Sequence, residues 1–374
     1  MLLFVLAYIG GIFVTVLMLS VIITFGIPPL FLKSNGSPDK TGRKKRNVLI
    51  IGDGQSGRHL AEEAMKQNNS NLNVAGFLTR EGRVRENIKI LGNLDQLENI
   101  LDAYEITDVI ISEDNEDLDF IFDTAERCRK AGIKVRASSK KLEIIEKKIK
   151  LKMYFDHHYI DLSRVSDSRL TLLLKRIIDL IVATAALIVL LPLMLIIALL
   201  VKATSQGTIL FKQLRVGRDG KHFRMYKFRT MYSKDSEDES RKQMMLEFMK
   251  NNKISGGDTK IVDESRVTKI GKILRKTSLD ELPQLINVLK GEMSLVGPRP
   301  CVPYEFENYE NWQKRRVCVP PGCTGVWQVS GRSSVSFNDS VILDLYYVHN
   351  MSVLLDIMIL FKTIPVLLFS KGGR

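Results

Sequence analysis

The sequence predicts an α/β Rossmann-like domain followed by a membrane-associated, mainly α domain with a β-hairpin and a re-entrant membrane helix, all behind one N-terminal transmembrane helix. Three observations predict this. Long apolar runs occupy residues 2–24, which carry no charge, and 177–201, and each is long enough to enter the roughly 30 Å hydrocarbon core of a bilayer. Between them, Asn47 to Ile51 is a short apolar run that leads into Gly52-Asp53-Gly54-Gln55-Ser56-Gly57 and a helix-like stretch, the strand, turn and helix of a Rossmann unit. After residue 200, two β-rich segments flank a glycine-bearing turn at 216–220 and helix signals follow. The composition of the 374 residues, 45% hydrophobic and 26% charged, excludes a disordered or collagen-like chain. The net charge of +13 suits an anionic partner, whether nucleic acid, lipid headgroups or a phosphorylated substrate. Cys128, Cys301, Cys318 and Cys323 include no C-x-x-C pair, which argues against a disulfide scaffold or a structural zinc module.

In chain order, residues 1–31 read as a transmembrane anchor. Lys33, Lys40, Arg43, Lys44, Lys45 and Arg46 follow it, opposed only by Asp39, so the positive-inside rule puts the next domain in the cytoplasm. The Rossmann-like domain covers 47–138, with strands expected at Val74 to Leu78, Asp108 to Ser112 and Ile133 to Ala137. Gly52, Gly54 and Gly57 are candidate cofactor-binding residues. The second strand ends in Leu78-Thr79-Arg80, without the acid that an NAD site uses for the ribose, so the sheet is either a nucleotide site or a structural or regulatory unit. A lysine-rich connector spans 139–169, and the second domain spans 170–374. Its apolar run 177–201 has Lys175 and Arg176 before it, Lys202 after it and Pro192 near its middle. Basic flanks at both ends favour the same side of the membrane, which a helix that breaks at Pro192 and returns satisfies; an ordinary span is the alternative. The run at 352–369, interrupted by Asp356, Lys362 and Pro365, reads as an interfacial or core-packing helix.

The chemistry lies beyond residue 200. Ile209 to Arg215 and His222 to Arg229 form the expected hairpin, rich in Lys and Arg. Its outer cations suit anionic lipid. Lys227 and Arg229 stand between hydrophobic residues, where a bound phosphate would pair them. In Thr277-Ser278-Leu279-Asp280-Glu281-Leu282-Pro283, Pro283 fits the first turn of a helix ending near Lys290-Gly291. Asp280 and Glu281 then sit at its N-terminus, either in a capping box with Ser278 or beside a divalent cation and a phosphorylated substrate. Gly297-Pro298-Arg299-Pro300 presents one arginine on a stiff loop. The segment from Pro320 to Arg332 carries Trp327, read as core, and Arg332.

From Lys175 onward the chain resembles the monotopic bacterial sugar transferases, the polyprenyl-phosphate phosphoglycosyl transferases that start exopolysaccharide, capsule and O-antigen assembly. The resemblance rests on Lys175-Arg176 with Asp179, Lys227-Phe228-Arg229-Thr230-Met231, Thr277 to Gln284, Ser294 to Pro300, and Gly325 to Arg332. The family breaks its re-entrant helix at Ser-Pro; here the pair is Leu191-Pro192. Larger members place membrane helices and a Rossmann-like domain, regarded as regulatory or architectural, before the transferase. The resemblance implies that Asp280 is the nucleophile toward a UDP-sugar and that polyprenyl phosphate is the acceptor. It further implies that Glu281 holds Mg²⁺; from charge and position, Lys227, Arg229, Arg299 and Arg332 are candidates for the substrate phosphates. Membrane lipids are expected partners, nucleic acid is not, and a homodimer through the extra domain is compatible. The catalytic domain would face the cytoplasm at a bacterial inner membrane. A nucleotide-sugar oxidoreductase or dehydratase needs Tyr-x-x-x-Lys, but Tyr154 and Tyr159 are followed four residues on by His158 and Ser163. A non-enzymatic scaffold with a ligand-sensing sheet leaves Asp280 and Glu281 unexplained.

Overall fold

The computed structural model describes residues 46–52, 57, 62, 72–79, 89–112, 117–139, 142, 144–145, 153–154, 157–158, 160–162, 169–232, 239–251, 266–330 and 335–368. The expected anchor at 1–31 lies outside them. The N-terminal half is built on β1 (Arg46–Ile51), β2 (Leu72–Thr79), β3 (Ile90–Asn93), β4 (Asp108–Ser112) and β5 (Lys134–Ser138), all parallel. The short pair β6 (Met153–Tyr154) and β7 (His157–His158) precedes β8 (Ile160–Asp161), which adds antiparallel to β5 and gives the order β3-β2-β1-β4-β5-β8. The order β3-β2-β1-β4-β5 is that of the first five strands of the Rossmann sheet. Val48 to Ile51 form a continuous apolar run because the sheet is covered on both sides. Leu49 and Ile51 face the main core, which includes α1 (Leu97–Ala103) and α2 (Leu118–Lys130), while Val48 and Ile50 join Phe77 and Ile110 in a second cluster.

The long helix α3 (Arg169–Thr204) begins earlier and ends later than the expected 177–201. Helical geometry also continues through Pro192 where a break was expected. Proline removes one i→i−4 bond and crowds the preceding turn, but the neighbouring turns keep their own bonds. Buried residues occur toward both ends of the helix, at Lys175, Asp179 and Ala183 and again at Ile197 and Val201. Between them one face keeps contact with the core through Ala186, Leu187 and Leu190, while the other is exposed and apolar, with Ile188 70% and Leu191 52% exposed.

The hairpin β9 (Leu210–Val216) and β10 (His222–Phe228) forms as expected. It is followed by α4 (Glu239–Asn251), α5 (Lys269–Thr277), α6 (Gln284–Lys290), β11 (Ser294–Val296), α7 (Pro303–Glu307), α8 (Asn311–Lys314), β12 (Gly322–Thr324), α9 (Val326–Ser330), α10 (Phe337–Asn350) and α11 (Val353–Leu368). Asn287, wholly buried on α6, ties this helix to the hairpin: its amide accepts from Tyr226 N at 3.0 Å and donates to Arg224 O at 2.8 Å. Arg176 on α3 donates to the carbonyls of Val288 and Leu289, placing a cation where the last turn of α6 leaves carbonyls unpaired.

A second tie is buried. Lys175 Nζ donates to Asp356 Oδ2 at 2.6 Å and to Val296 O at 2.9 Å, and the Tyr347 hydroxyl donates to Asp356 Oδ1 at 2.6 Å. One lysine thus joins α3, α11 and β11. Lys175→Met is expected to destabilise by about 3–5 kcal/mol, because it strands a buried carboxylate. A thermal melt of the detergent-solubilised protein would show this as a lowered midpoint, and an unchanged melt would mean that the pair contributes nothing.

Candidate active site

Helix α5 ends at Ser278, which adopts the left-handed conformation (φ 56°, ψ 17°) and donates its N–H to Arg275 O. The chain then makes a single 3₁₀ turn, Leu279–Glu281, before Pro283 opens α6, which Gly291 terminates at φ 81°. The helix start and end therefore fall where Pro283 and Gly291 place them. The capping-box alternative is corrected: the Ser278 side chain makes no cap bond, since the left-handed turn carries it away from the geometry an N-cap needs. Asp280 is 9% exposed, and Glu281 is half-buried beside it.

Of the four candidate phosphate contacts, the structure brings Lys227 to this turn. Its Nζ donates to Glu281 Oε1 at 2.7 Å, so one positive charge already stands against the two adjacent acids. Arg229 goes elsewhere. It is 7% exposed, and its Nη2 donates to Ser205 O at 2.7 Å and Ser205 Oγ at 2.9 Å, just past the C-terminus of α3. Strand β10 ends at Phe228, so Arg229 no longer follows the strand alternation that would have kept it beside Lys227.

Arg299 is held in its loop from several sides. Arg215 Nη1 donates to Pro300 O at 2.9 Å, and Val216 N donates to Cys301 O at 2.9 Å. A Cβ on Gly297 would lie 2.4 Å from Pro320 O, so only glycine permits β11 and β12 to approach as they do. The Arg299 guanidinium sits 5.9 Å from the centre of the Trp327 ring, within cation–π reach. The half-buried indole of Trp327 packs on the core, as read from the sequence, and also meets Arg299. Arg332 lies outside the described residues.

The glycine loop at the sheet is accounted for partly by the chain itself. Gly52 has φ 112°, and a Cβ there would stand 2.0 Å from Ser112 O; one on Gly57 would stand 2.8 Å from Gly52 O. Both glycines are needed for strand–helix packing with or without a nucleotide. Gly54, the residue that would face a pyrophosphate, lies outside the described residues.

Among the described residues, no three His, Cys, Asp or Glu side chains gather to hold a metal. Magnesium does not need such a cage, because it binds through one or two carboxylates plus substrate phosphates and water. The adjacent hard oxygen donors of Asp280 and Glu281 fit that mode. Cys323, on β12, is no rival nucleophile: burial pushes its thiol well up, and the charges of Glu281 and Asp179 push the same way.

Sequence reasoning missed the Lys175–Asp356–Tyr347 cluster and a buried pair, Arg316 with Asp344. Burial pushes the Asp344 carboxyl up to about 6 while Arg316 pulls it down. The available signal was an acid set directly between apolar residues, Asp344 between Leu343 and Leu345 and Asp356 between Leu355 and Ile357, each of which requires a partner once buried.

A family model described as bacterial sugar transferase matches residues 170–370, a span that holds every element of this site. The chain belongs to the bacterial sugar transferase family. The transferase is 44% identical over 203 residues to the exopolysaccharide production protein ExoY of Sinorhizobium fredii, a match covering 53% of this chain and 87% of ExoY. It is 34% identical over 348 residues to the undecaprenyl-phosphate galactose phosphotransferase of Salmonella typhimurium, covering 90% of this chain and 71% of that protein. It is also 46% identical over 169 residues to the galactosyl transferase CpsE of Streptococcus agalactiae, covering 45% of this chain and 36% of CpsE. The Salmonella match takes in much of the N-terminal half of the transferase as well as its catalytic region.

Proposed function

We propose that this transferase moves a phosphosugar from a UDP-sugar to polyprenyl phosphate, releasing UMP, in the first membrane step of exopolysaccharide, capsule or O-antigen synthesis. The observation that carries the reading is Asp280 at a buried turn beside the Lys227–Glu281 ion pair, inside the region matched by the family. A carboxylate oxygen of Asp280 attacks the β-phosphorus, and the bond to the bridging oxygen breaks with its electron pair leaving on UMP. The phosphosugar is now an acyl phosphate on Asp280. An oxygen of polyprenyl phosphate attacks the same phosphorus, forming a diphosphate and returning the Asp280 carboxylate. Glu281 would hold magnesium, whose charge when bound neutralises the diphosphate. Lys227 orients the Glu281 carboxylate, and Arg299 meets substrate phosphate from its stiff loop.

Two further features support a membrane-surface enzyme whose long helix enters and leaves on one face. The first half of α3 is tied through Arg176 to the end of α6 and through Asp179 Oδ1 to Leu295 N. Its second half packs through Ile197 and Val201 against Phe228 and Leu274 of the same domain. The exposed apolar face of Ile188, Leu191, Leu195 and Ile196 is what a lipid interior would cover. Exposed Leu354, Met358 and Phe361 on α11 add apolar surface. With the catalytic face in the cytoplasm, the site meets soluble UDP-sugars and a lipid phosphate at one interface.

The test is to incubate the purified protein with Mg²⁺ and a panel of UDP-sugars, with and without polyprenyl phosphate, and follow UMP. For the correct sugar, omitting the lipid is expected to leave a burst of UMP stoichiometric with enzyme and a protein-bound phosphosugar. Sustained turnover should need the lipid. UMP that appears only with lipid, and no labelled protein, would replace the covalent route with direct displacement.

A further inference from the structure

Arg299 is fixed through its backbone by a buried ion pair. Its N–H donates to Asp344 Oδ2 at 3.4 Å and its carbonyl accepts from Arg316 Nη2 at 3.3 Å. Asp344 and Arg316 are bonded to each other, 0% and 4% exposed respectively, and Arg316 Nη1 donates to the Tyr309 hydroxyl at 3.1 Å. With prolines on either side, Arg299 has little freedom of its own. Its position follows that of the clamp.

The clamp is continuous with a contact to the other half of the molecule. Arg315 and Arg316 are consecutive in one 3₁₀ turn, Arg315–Cys318. Arg315 points to α2 of the N-terminal sheet domain, where Nη1 donates to Glu126 Oε2 at 2.7 Å and Nη2 to Asp123 Oδ1. The hydrogen bond from Arg315 holds the Glu126 carboxyl below the usual carboxylate range. Beside this contact Phe122 of α2 stacks on His349 of α10, ring centres 5.6 Å apart, and α10 also carries Asp344. The sheet domain thus grips both elements that make the clamp: the 3₁₀ turn through Arg315 and α10 through Phe122. Close-packed interiors pass such displacements on, and a shift of about 1 Å in a substrate-positioning group is enough to matter kinetically.

We infer that docking of the sheet domain on Arg315 and α10 sets the position of Arg299, so that this domain tunes the transferase's affinity for the phosphates of its nucleotide substrate. Arg315 and Arg316 are positioning residues in this scheme and touch no substrate. The inference rests on the assignment of Arg299 to substrate phosphate, and the experiment separates the two.

The full-length protein in nanodiscs is titrated with UDP by calorimetry. Arg315→Glu reverses the contact with Asp123 and Glu126 and is expected to weaken UDP binding about fivefold or more, within the usual range of coupling between sites. Combining it with Asp123→Arg and Glu126→Arg should restore affinity to within about twofold of the original. Arg299→Lys should weaken binding by itself, and Arg315→Glu should add little on top of it, because the two act through one group. Should Arg315→Glu fail to accumulate, Asp123→Asn with Glu126→Gln leaves Arg315 intact and carries the same comparison. Unchanged affinity in these docking variants, failure of the charge swap to restore binding, or full additivity with Arg299→Lys would overturn the inference. Unchanged UDP affinity in Arg299→Lys would instead overturn the assignment of Arg299 on which it rests.

Discussion

Replacing Asp280 with Asn is expected to reduce UMP release by about 10⁴-fold or more, the order seen when a covalent nucleophile is removed. Asn keeps the size and planar shape of the side chain but cannot form the acyl phosphate, so both the burst and sustained turnover should vanish together. The fold should persist: the turn around Asp280 is set by the left-handed Ser278 and by Pro283, neither of which the change touches, and the Lys227–Glu281 pair stays in place. A melt and a UDP titration close to those of the parent chain would confirm that only chemistry was lost. Glu281→Gln provides the contrast, since it leaves the nucleophile and removes the charge facing Lys227. It should slow turnover while still permitting protein-bound phosphosugar to be trapped. Normal UMP release from Asp280→Asn would remove Asp280 from the mechanism.

How far the sequence could be read depended on the range of the interactions. The sheet was legible because Val48 to Ile51 and Val109 to Ile111 are short apolar runs rich in β-branched residues, the pattern of strands covered on both faces. The turn at Asp280 was legible because Pro283 and Gly291 act locally on the backbone. Strand β3, four residues long, carried no periodicity to detect. Arg229 was read with Lys227 because they are two residues apart, but its partner, Ser205, lies 24 positions away. Arg316 and Asp344 were invisible for the same reason: each looks ordinary until the fold brings a charge 28 positions distant into contact. Trp327 was legible as a core-packing residue, but its contact with Arg299, 28 positions away, was not.

Replacing Pro192 with Leu is expected to abolish most activity without touching the Asp280 turn, because on the topology proposed above it should turn a returning helix into a crossing one. Helical geometry already continues through Pro192, so what Leu adds is the missing i→i−4 bond and relief of the crowding that bends a helix at proline; held straight, residues 177–201 are about 37 Å long at 1.5 Å per residue, enough to cross the hydrocarbon core with some tilt. Crossing would carry Ser205 to the far side and pull Ile197 and Val201 from Phe228 and Leu274, which they now contact. It would also separate Ser205 from Arg229. The hairpin bearing Lys227 could then no longer lie beside Glu281 while α6 stays bound to Arg176. Impermeant thiol labelling of intact cells reads the topology directly. Single cysteines at Leu170 and Gln206, both exposed, flank the segment, in a background with Cys318 and Cys323 changed to Ser. With Pro192 present both sites should be protected from outside, and adding Pro192→Leu should make Gln206 reactive as activity falls. Labelling at Gln206 but not Leu170 with Pro192 intact would mean that the helix crosses, and a cytoplasmic active site fed by soluble UDP-sugars would no longer follow.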